Sequence, residues 1–470
     1  MIAHSKRWHG VFAALIVLAS GVCARADQSA PTSSDALAAY IARPDSSYGW
    51  HVRSSGTVGG TRYVELIMSS QTWRDTLWRH QLYIIVPASL DPNSRQALLY
   101  ISGGRWKPEL ENDATPGKLP SGTDRFIKLT QELRTPVAVL RHVPFQPLFD
   151  GLTEDRIIAL TFDRYLETGD NEWPLLLPMV KTVVRAMDTI QTFAAQEWGV
   201  HIDSFTVAGA SKRGWTTWLT GAVDARATAL APIVIDVVNM GAQMKHASAT
   251  WGAPSSQIAP YTERRLPERL ASPGGQSLLD IVDPYSYRHS LLQPKLIING
   301  TNDKYWPLDA LNLYWSELEG EKYILYVPNQ GHDIKDYDRV IGSLVALHRH
   351  VAHGAPLPKL QWQFVEGADD VRLELSPSMK PKQMLVWMAR SDTRDFRDAH
   401  WESVPMKRKH DQYVVTLDRP RNGYIAMLGE GKFTRKFKMP CYFSTTVKIF
   451  GPTAGPTVLS SIDPVLPEHQ

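Results

Sequence analysis

The sequence predicts an α/β protein built on a doubly wound, mostly parallel sheet, with a cap-like insertion and a small all-β, sandwich-like domain after it. Strand-like apolar runs alternate with helical stretches between residues 97 and 353. The later runs, PKLIIN and KYILYV, are almost continuously apolar, which a parallel strand covered on both faces requires. Beyond residue 354 only short strands separated by turns follow.

The predicted elements follow the chain in order. Between residues 62 and 101 the pattern is that of three strands, at Tyr63–Met68, Leu82–Pro87 and Ala97–Ile101. Further strands are predicted at Pro136–Val143, Phe205–Ala208, Ala227–Ile235, Pro294–Asn299 and Lys322–Val327. Helices are predicted at Leu177–Trp198, Ser211–Val223 and Tyr337–His353. This alternation indicates β-α-β units.

A long insertion and a composition change divide the chain. Residues 236–290 carry Met, His, Trp, Tyr, Pro and Gly without a clear period, and such an insertion after a sheet strand is often a cap over the site. A structural excursion away from the site is the alternative. Prolines after Gly354 indicate a boundary. We therefore predict an α/β domain over residues 27–355, a β-sandwich-like domain over 356–450 and a tail over 451–470.

The first 26 residues have the pattern of a signal peptide. Lys6 and Arg7 form a basic n-region, Val11–Val22 is an apolar run too short to span a bilayer, and ARA at residues 24–26 offers a cleavage site. A short N-terminal anchor is the alternative. We expect cleavage after Ala26, no stable membrane insertion afterwards, and a periplasmic or secreted protein.

The charge balance argues against a nucleic-acid partner. The full chain has 51 basic and 48 acidic side chains, a net charge of +3. Lys6, Arg7 and Arg25 lie in the predicted signal peptide, which contains no acid, so the mature chain has both signs in equal number. With Cys23 removed as well, Cys441 is the only cysteine left, and no internal disulfide is expected.

The strongest chemical signal is the stretch VAGASKRGW at residues 207–215, which joins a predicted strand to a predicted helix. A serine at this turn, Ser211, exposes its hydroxyl above the carboxyl ends of the strands, and small residues before it let the turn close. In the common form, G-x-S-x-G, glycine stands two residues after the serine. Here that residue is Arg213, and Gly214 follows it. A tight turn with a capping serine is the alternative.

Two further stretches stand where a serine hydrolase needs them. Asp303 follows the strand PKLIIN, and His332 follows the last predicted sheet strand in the stretch PNQGH. The order Ser, Asp, His is that of α/β-hydrolases, in which the acid orients the histidine and the histidine removes the serine's proton. Asp333 and Asp336 lie too close in sequence to His332 for the usual arrangement. We therefore predict an α/β-hydrolase-type fold with Asp303 as the acid.

The remaining predictions concern the groups around the reacting carbonyl. The backbone N–H groups of Lys212, Gly104 and Arg105 are predicted to form the oxyanion hole, the last two in the loop SGGRW, for which a plain turn is the alternative. Arg213 and Trp306 are predicted to bind substrate, and for Arg213 a side chain that caps the helix or faces solvent is the alternative. We expect no cofactor and no metal, because the histidines of the last predicted helix lack the spacing of a zinc helix.

The stretches GASKRGWTTWLT, IVIDVVNM, NGTNDKYWPLDA and PNQGHDI together resemble the PhoPQ-activated pathogenicity-related protein family. The resemblance covers nearly all of the predicted mature chain, including the C-terminal β region. It implies an α/β-hydrolase fold and a link to bacterial envelope stress and virulence, whereas the family's substrate is poorly defined. The family's triad corresponds to Ser211, Asp303 and His332.

These observations together favour an exported serine hydrolase that cleaves an ester, or in second place an amide, of a small-molecule or peptide substrate. A peptidase of the same fold is one alternative. The other is a non-catalytic envelope binding or scaffold protein with a vestigial triad, whose C-terminal domain docks an unknown protein partner. All three triad residue types stand in the right order, which favours the enzyme.

Overall fold

The fold is taken from a computed structural model, which describes residues 35–112, 123–434 and 439–452. The predicted signal peptide at residues 1–26 lies outside the described residues. So does the predicted tail, apart from Gly451 and Pro452.

Nine strands of the described chain form one central sheet. They are Gly49–Val58 (β1), Thr61–Trp73 (β2), Thr76–Val86 (β3), Gln96–Ile101 (β4), Val137–Leu140 (β5), Ser204–Ala210 (β6), Ala227–Ile233 (β7), Lys295–Gly300 (β8) and Lys322–Val327 (β9). They lie in the order β1-β2-β3-β5-β4-β6-β7-β8-β9. The first four in this order pair antiparallel, and from β5 to β9 every neighbouring pair is parallel. The predicted mostly parallel sheet is therefore confirmed.

Helices cover both faces of this sheet. The α-helices are Ala36–Ala42 (α1), Thr123–Leu133 (α2), Asp155–Thr168 (α3), Leu176–Trp198 (α4), Lys212–Val223 (α5), Met240–Trp251 (α6), Ala259–Thr262 (α7), Leu266–Arg269 (α8), Pro273–Val282 (α9) and Tyr337–His353 (α10). Successive strand residues point to opposite faces, so Leu99 packs with α4 and α5 while Leu98 packs with α2 and α10. The doubly wound arrangement is confirmed. None of the described helices has the length and apolar character needed to cross a bilayer.

Residues 236–290 contain α6 to α9 and the turns between them. Met240, Tyr261 and Leu270 of this segment line a cavity together with Ser211. A side-chain cap begins one of these helices: the Ser272 hydroxyl accepts a hydrogen bond of 3.1 Å from the Gly275 N–H at the start of α9. The insertion thus covers the carboxyl ends of the parallel strands, where parallel α/β proteins bind their ligands.

The chain after α10 is all-β. Its strands are Leu360–Glu366 (β10), Asp370–Pro377 (β11), Gln383–Ser391 (β12), Glu402–Pro405 (β13), Lys407–Lys409 (β14), Gln412–Asp418 (β15), Tyr424–Phe433 (β16), Cys441–Ser444 (β17) and Lys448–Phe450 (β18). They form two antiparallel sheets, β10-β11-β15-β14 and β13-β12-β16-β17 with β18 beside β16. Buried Leu373, Val386 and Met427 pack in one cluster that both sheets share. The predicted antiparallel C-terminal region is confirmed.

The β region also packs against the α/β sheet. Buried Phe396, Trp401 and Leu428 belong to the same apolar cluster as α4 and α5. At the sheet edge, the Tyr326 N–H of β9 donates a hydrogen bond of 2.7 Å to the Ser444 hydroxyl of β17. The two parts of the chain therefore share a core.

Candidate active site

Ser211 stands at a sharp turn between β6 and α5. Its backbone has φ 57° and ψ −128°, a conformation that only a tightly held non-glycine residue adopts. Two close approaches hold the turn. A Cβ on Gly209 would lie 2.6 Å from the Arg213 carbonyl oxygen, and one on Gly214 would lie 2.6 Å from a methyl carbon of Ile235. The packing of the turn therefore requires glycine three residues after the serine.

Ser211, His332 and Asp303 form one hydrogen-bonded series. His332 Nε2 lies 2.9 Å from Ser211 Oγ, and His332 Nδ1 lies 2.8 Å from Asp303 Oδ2. The other carboxylate oxygen, Oδ1, accepts a hydrogen bond of 2.8 Å from the Tyr305 N–H. The Tyr305 ring lies over the imidazole, with 4.1 Å between centroids. Tyr305 thus holds both the carboxylate, through its N–H, and the imidazole, through its ring.

The nearby acids do not compete for the imidazole. Asp336 accepts the Arg339 N–H at the start of α10 and pairs with the Arg339 guanidinium at 2.9 Å. Asp333 has a side chain 83% exposed and lies 3.9 Å from Lys335. Only Asp303, of the three acids considered from the sequence, contacts the ring.

The acid and histidine loops meet because their backbones approach closely. A Cβ on Gly300, at the end of β8, would lie 2.4 Å from the Gln330 carbonyl oxygen. The Asn302 N–H donates a hydrogen bond of 2.9 Å to the same oxygen. Adjacent parallel strands β8 and β9 thus place both loops at one edge of the sheet.

The loop after β4 lies beside the serine turn. A Cβ on Gly103 would lie 2.4 Å from Arg213 Nη2, so the glycine lets the guanidinium pack on the loop backbone. Gly104 has φ 129°, and a Cβ there would lie 3.0 Å from His142 Nδ1. Lys212 is the first residue of α5, where backbone N–H groups lack intrahelical partners. The oxyanion role of Lys212, Gly104 and Arg105 stays a prediction.

Two cavities open at this site. A small, largely apolar one of about 70 Å³ contains Ser211 and His332 in its lining, together with Trp306 and residues of the insertion. A larger one of about 460 Å³ is lined by His332, Ser102 and residues of α2 and α10. The predicted substrate residue Trp306 thus lies beside the serine, with 9% of its surface exposed.

The family model of the PhoPQ-activated pathogenicity-related protein family matches residues 37–397. The chain belongs to this family. The match runs from α1 through the acid and histidine loops, and it ends inside the β region, in the segment between β12 and β13. The resemblance seen in the four sequence stretches is therefore confirmed.

One protein similar in sequence is "Autocrine proliferation repressor protein A" of Dictyostelium discoideum, 31% identical over 430 residues, or 84% of this chain and 85% of the relative. Solved esterases are similar in fold. Acetyl xylan esterase 1 from Thermoanaerobacterium sp. JW/SL YS485 has a TM-score of 0.46 and 13% identity, over 67% of this chain and 93% of that one. A glucuronoyl esterase from Solibacter usitatus has a TM-score of 0.40 and 13% identity, over 67% and 92%. At this identity the likeness concerns the fold alone.

Arg213, for which a substrate role was predicted, makes its side-chain contacts within the protein, and that role stays a prediction. Its guanidinium makes two hydrogen bonds of 2.8 Å to the Glu154 carboxylate, and its Nε donates to the Val143 carbonyl oxygen at 2.5 Å. The buried Lys212 ammonium pairs with Glu154 at 2.9 Å and with Asp155 at 3.3 Å. Both cations therefore hold the serine turn to the start of α3.

Glu154, which the sequence did not reveal, anchors this network. Burial alone would raise the pKa of its carboxyl, but the Arg213 and Lys212 cations lower that pKa to about 2. Glu154 itself has φ 56°, a left-handed backbone held by its contacts. No local signal marks it, because its partners lie roughly 60 residues away in sequence.

A second carboxyl, Asp236, lies buried near Asp303. It accepts hydrogen bonds from the Asn299 amide at 2.8 Å and from the Tyr314 hydroxyl. Burial raises its pKa to about 7, and the nearby Asp303 charge adds to the rise. Below about pH 7 Asp236 therefore tends to stay protonated. The sequence offered no signal for this role beyond its position after β7.

The segment between β12 and β13 braces both catalytic loops. The Asn302 amide donates hydrogen bonds to backbone oxygens of residues 396, 397 and 399, the shortest being 2.7 Å to Ala399. Asn329 pairs with the backbone of Trp401 twice, at 2.9 and 2.8 Å. Each asparagine stands within three residues of Asp303 or His332. The β region thus supports the geometry of the site directly.

Within residues 35–112, 123–434 and 439–452, no group of three or more His, Cys, Asp or Glu side chains is arranged to hold an ion. The single described cysteine, Cys441, is free and buried.

Proposed function

We propose that this protein is an exported serine hydrolase that cleaves an ester, and in second place an amide, through an acyl-enzyme. The observation that carries the proposal is the series Asp303–His332–Ser211, with separations of 2.8 and 2.9 Å, at the wall of a cavity. A serine hydroxyl is a weak nucleophile at neutral pH unless a base accepts its proton. A histidine with one nitrogen on the hydroxyl and the other on a carboxylate supplies that base.

The reaction follows from this geometry. Ser211 Oγ bonds to the carbonyl carbon of the substrate as its proton passes to His332 Nε2, and the carbonyl oxygen becomes an oxyanion. Backbone N–H groups of Lys212 and of the loop at Gly104 and Arg105 stabilise that charge. Collapse breaks the bond from the carbon to the leaving oxygen, which takes the proton from His332. Water repeats the sequence, releases the acid and restores Ser211.

Initial rates on neutral aryl acetates test the proposal. The parent should hydrolyse them, and Ser211→Ala should lower the rate by roughly 10⁶-fold, to background, with an unchanged fold. Ser403→Ala, an exposed serine on β13, is the matched control and should retain full activity. Turnover by the Ser211→Ala variant at the parental rate would refute the proposal.

Export is proposed on the pattern of residues 1–26. The basic n-region, the apolar run and the ARA sequence predict cleavage after Ala26. Intact-mass measurement of protein recovered from an expressing bacterium is the test. We expect a chain that begins at Asp27, whereas a mature chain that still carries Met1 would show an anchor instead.

A role in envelope stress or virulence is proposed on the description of the family alone. A bacterial strain carrying Ser211→Ala in place of the parental gene is the test. We expect it to survive envelope stress less well than the parent strain. Equal survival of the two strains would show that hydrolysis at Ser211 is not required for that role.

A further inference from the structure

Two cavities meet at the His332 side chain, and they differ in size and lining. The smaller one, about 70 Å³, includes Ser211, Lys212 and His332 in its wall. The larger one, about 460 Å³, includes His332, Ala210 and Ser102, and Ser211 is absent from its described lining. The imidazole therefore stands between two compartments.

The chemistry of acyl transfer assigns a part of the substrate to each compartment. The acyl group becomes covalently bound to Ser211 Oγ, so it must occupy the cavity that contains the serine. The leaving oxygen takes its proton from His332, so the leaving group lies on the side of the imidazole. The smaller cavity is thus the acyl compartment, and the larger one is the leaving-group compartment.

The acyl compartment is short and has almost no free polar groups. Its walls are mainly Met, Leu, Ile, Val and aromatic side chains, including Met244, Leu270 and Trp306. The two charged groups in its lining, Lys212 and Asp155, pair with each other at 3.3 Å. A cavity of about 150 Å³ accommodates benzene, so about half that volume suits an unbranched acyl chain of roughly two to four carbons.

The leaving-group compartment is larger and carries two arginines. Arg141 is half-buried, and its Nη1 donates to the Gln81 amide oxygen at 3.3 Å. The Arg125 guanidinium lies 4.1 Å from the centre of the Tyr337 ring. Among the described residues no carboxylate lies within 4.0 Å of either guanidinium. The one acid in the lining, Asp333, points largely into solvent beside Lys335. Guanidinium groups without a carboxylate partner are suited to bind an anionic group.

We propose that the substrate is an ester that joins a short, unbranched acyl group to a larger leaving group carrying a carboxylate or a phosphate. The acyl group occupies the compartment at Ser211, and the anion lies against Arg125 and Arg141. This inference rests on the proposed hydrolase function and names the substrate class of the same site.

The predicted limit on the length of the substrate's acyl group is tested with 4-nitrophenyl acetate, butyrate and octanoate. Because the acyl compartment ends after a few carbons, kcat/KM should fall roughly a hundredfold from butyrate to octanoate. Met244→Ala removes a wall of this compartment and should raise the octanoate-to-acetate ratio of kcat/KM roughly tenfold. Equal kcat/KM of the parent for acetate and octanoate would overturn the acyl assignment.

The anionic leaving group is tested with matched pairs of acetate esters. One pair is 4-acetoxybenzoate and its neutral methyl ester, and the other is 4-acetoxyphenyl phosphate and neutral 4-methoxyphenyl acetate. The parent should prefer the charged member of at least one pair by roughly tenfold in kcat/KM. The pair with the larger preference distinguishes a carboxylate from a phosphate.

Arginine variants identify the groups responsible. Arg141→Gln and Arg125→Gln should each lower the charged-to-neutral ratio of kcat/KM by roughly threefold to tenfold. Arg408→Gln, on the exposed β14 strand, removes the same charge far from the cavity and should leave the ratio unchanged. Added salt should lower the parental ratio as well, because it screens exposed charges.

The outcomes separate this inference from the proposed function. If neutral esters are hydrolysed but the charged members gain no preference, the anion site is wrong and the hydrolase stands. A preference that survives both arginine substitutions would also overturn the assignment to Arg125 and Arg141. If the parent hydrolyses none of the esters, both the proposed function and this inference fail.

Discussion

At the residue scale, the position of Asp303 depends on its two carboxylate oxygens having different partners. Oδ2 lies against the imidazole, and Oδ1 accepts the backbone N–H of Tyr305. A neutral amide in its place would keep the shape but present an N–H to one of these donors. The imidazole would then lose the hydrogen bond that holds its working tautomer.

We therefore expect Asp303→Asn to lower kcat by roughly 10⁴-fold, as the equivalent exchange does in the triad of serine proteases. Melting temperature and circular dichroism should stay close to those of the parent. Asp333→Asn serves as control, since its exposed side chain does not touch the ring. If Asp333→Asn caused the larger loss, the assignment of the acid would be wrong.

Asp236 gives a prediction about pH. Burial raises its pKa from the ordinary 3.8 to about 7 in the folded protein. Between these values the folded protein binds more protons than the unfolded chain, so stability falls as pH rises, by at most about 1.4 kcal/mol per pH unit, and then levels off. Asp236→Asn should abolish that fall, because the Asn299 amide can rotate to present its oxygen.

The measurement is the free energy of unfolding of the parent and of Asp236→Asn, by denaturant titration between pH 5 and pH 8. The variant should gain stability relative to the parent as the pH rises. A constant difference over this range would show that Asp236 does not change its charge there.

At the element scale, the segment between β12 and β13 supports two loops that belong to another part of the fold. Asn329 has φ 56° and makes both of its side-chain hydrogen bonds to Trp401. Asn302 contacts the same segment beside Asp303. Small shifts of these loops change the distance from His332 to Ser211, on which proton transfer depends.

We expect Asn329→Gly to lower kcat by roughly tenfold to a hundredfold with little change in KM. Glycine tolerates the positive φ, so the substitution removes the two hydrogen bonds without adding backbone strain. Lys304→Ala is the control, because it breaks only the exposed ion pair with Asp398, which contributes little. An effect of Asn329→Gly on melting temperature alone, with an unchanged kcat, would show a purely structural role.

The strands that the sequence identified are those with nearly continuous apolar runs, such as β8 and β9, because burial on both faces leaves a clear pattern. β1 was not predicted, since its side chains are exposed or half-buried and follow no apolar alternation. Helix α3 was not predicted either. It begins at Asp155, directly after Glu154, the residue that pairs with Arg213. Its start is set by ion pairs with the distant serine turn rather than by a local cap.

The three candidate catalytic residues could be selected from the sequence because each follows a recognisable strand and the three stand in a known order. The residues that hold these three in place could not be predicted from the sequence. Glu154, Asp236 and Asn329 have partners far away in the chain, and only the folded arrangement brings them together. The ion pair of Arg213 with Glu154 was not foreseeable for the same reason.

At the scale of the whole molecule, the α/β sheet and the β region share buried side chains. Trp401 and Leu428 pack in the cluster of α4 and α5, and Phe433 and Phe443 pack in the cluster of α2 and α10. The boundary predicted near residue 355 therefore separates two patterns of secondary structure that meet in common cores.

Calorimetry tests this arrangement on the mature chain. Because separate cores would unfold separately, a shared core predicts one cooperative transition, with loss of ester hydrolysis over the same temperature range. Two resolved transitions, with activity retained after the first, would instead show an independent β domain and would remove its supporting role at Asn302 and Asn329.

The central claim is that His332 and Asp303 make Ser211 an activated nucleophile, and one measurement tests it directly. The parent and a His332→Ala variant are treated with a fluorophosphonate, and the adduct is located by peptide mapping with mass spectrometry. We expect one stoichiometric adduct on Ser211 in the parent and labelling slower by several orders of magnitude in the variant. No adduct in the folded parent, an adduct on another residue, or equal labelling of both proteins would contradict it.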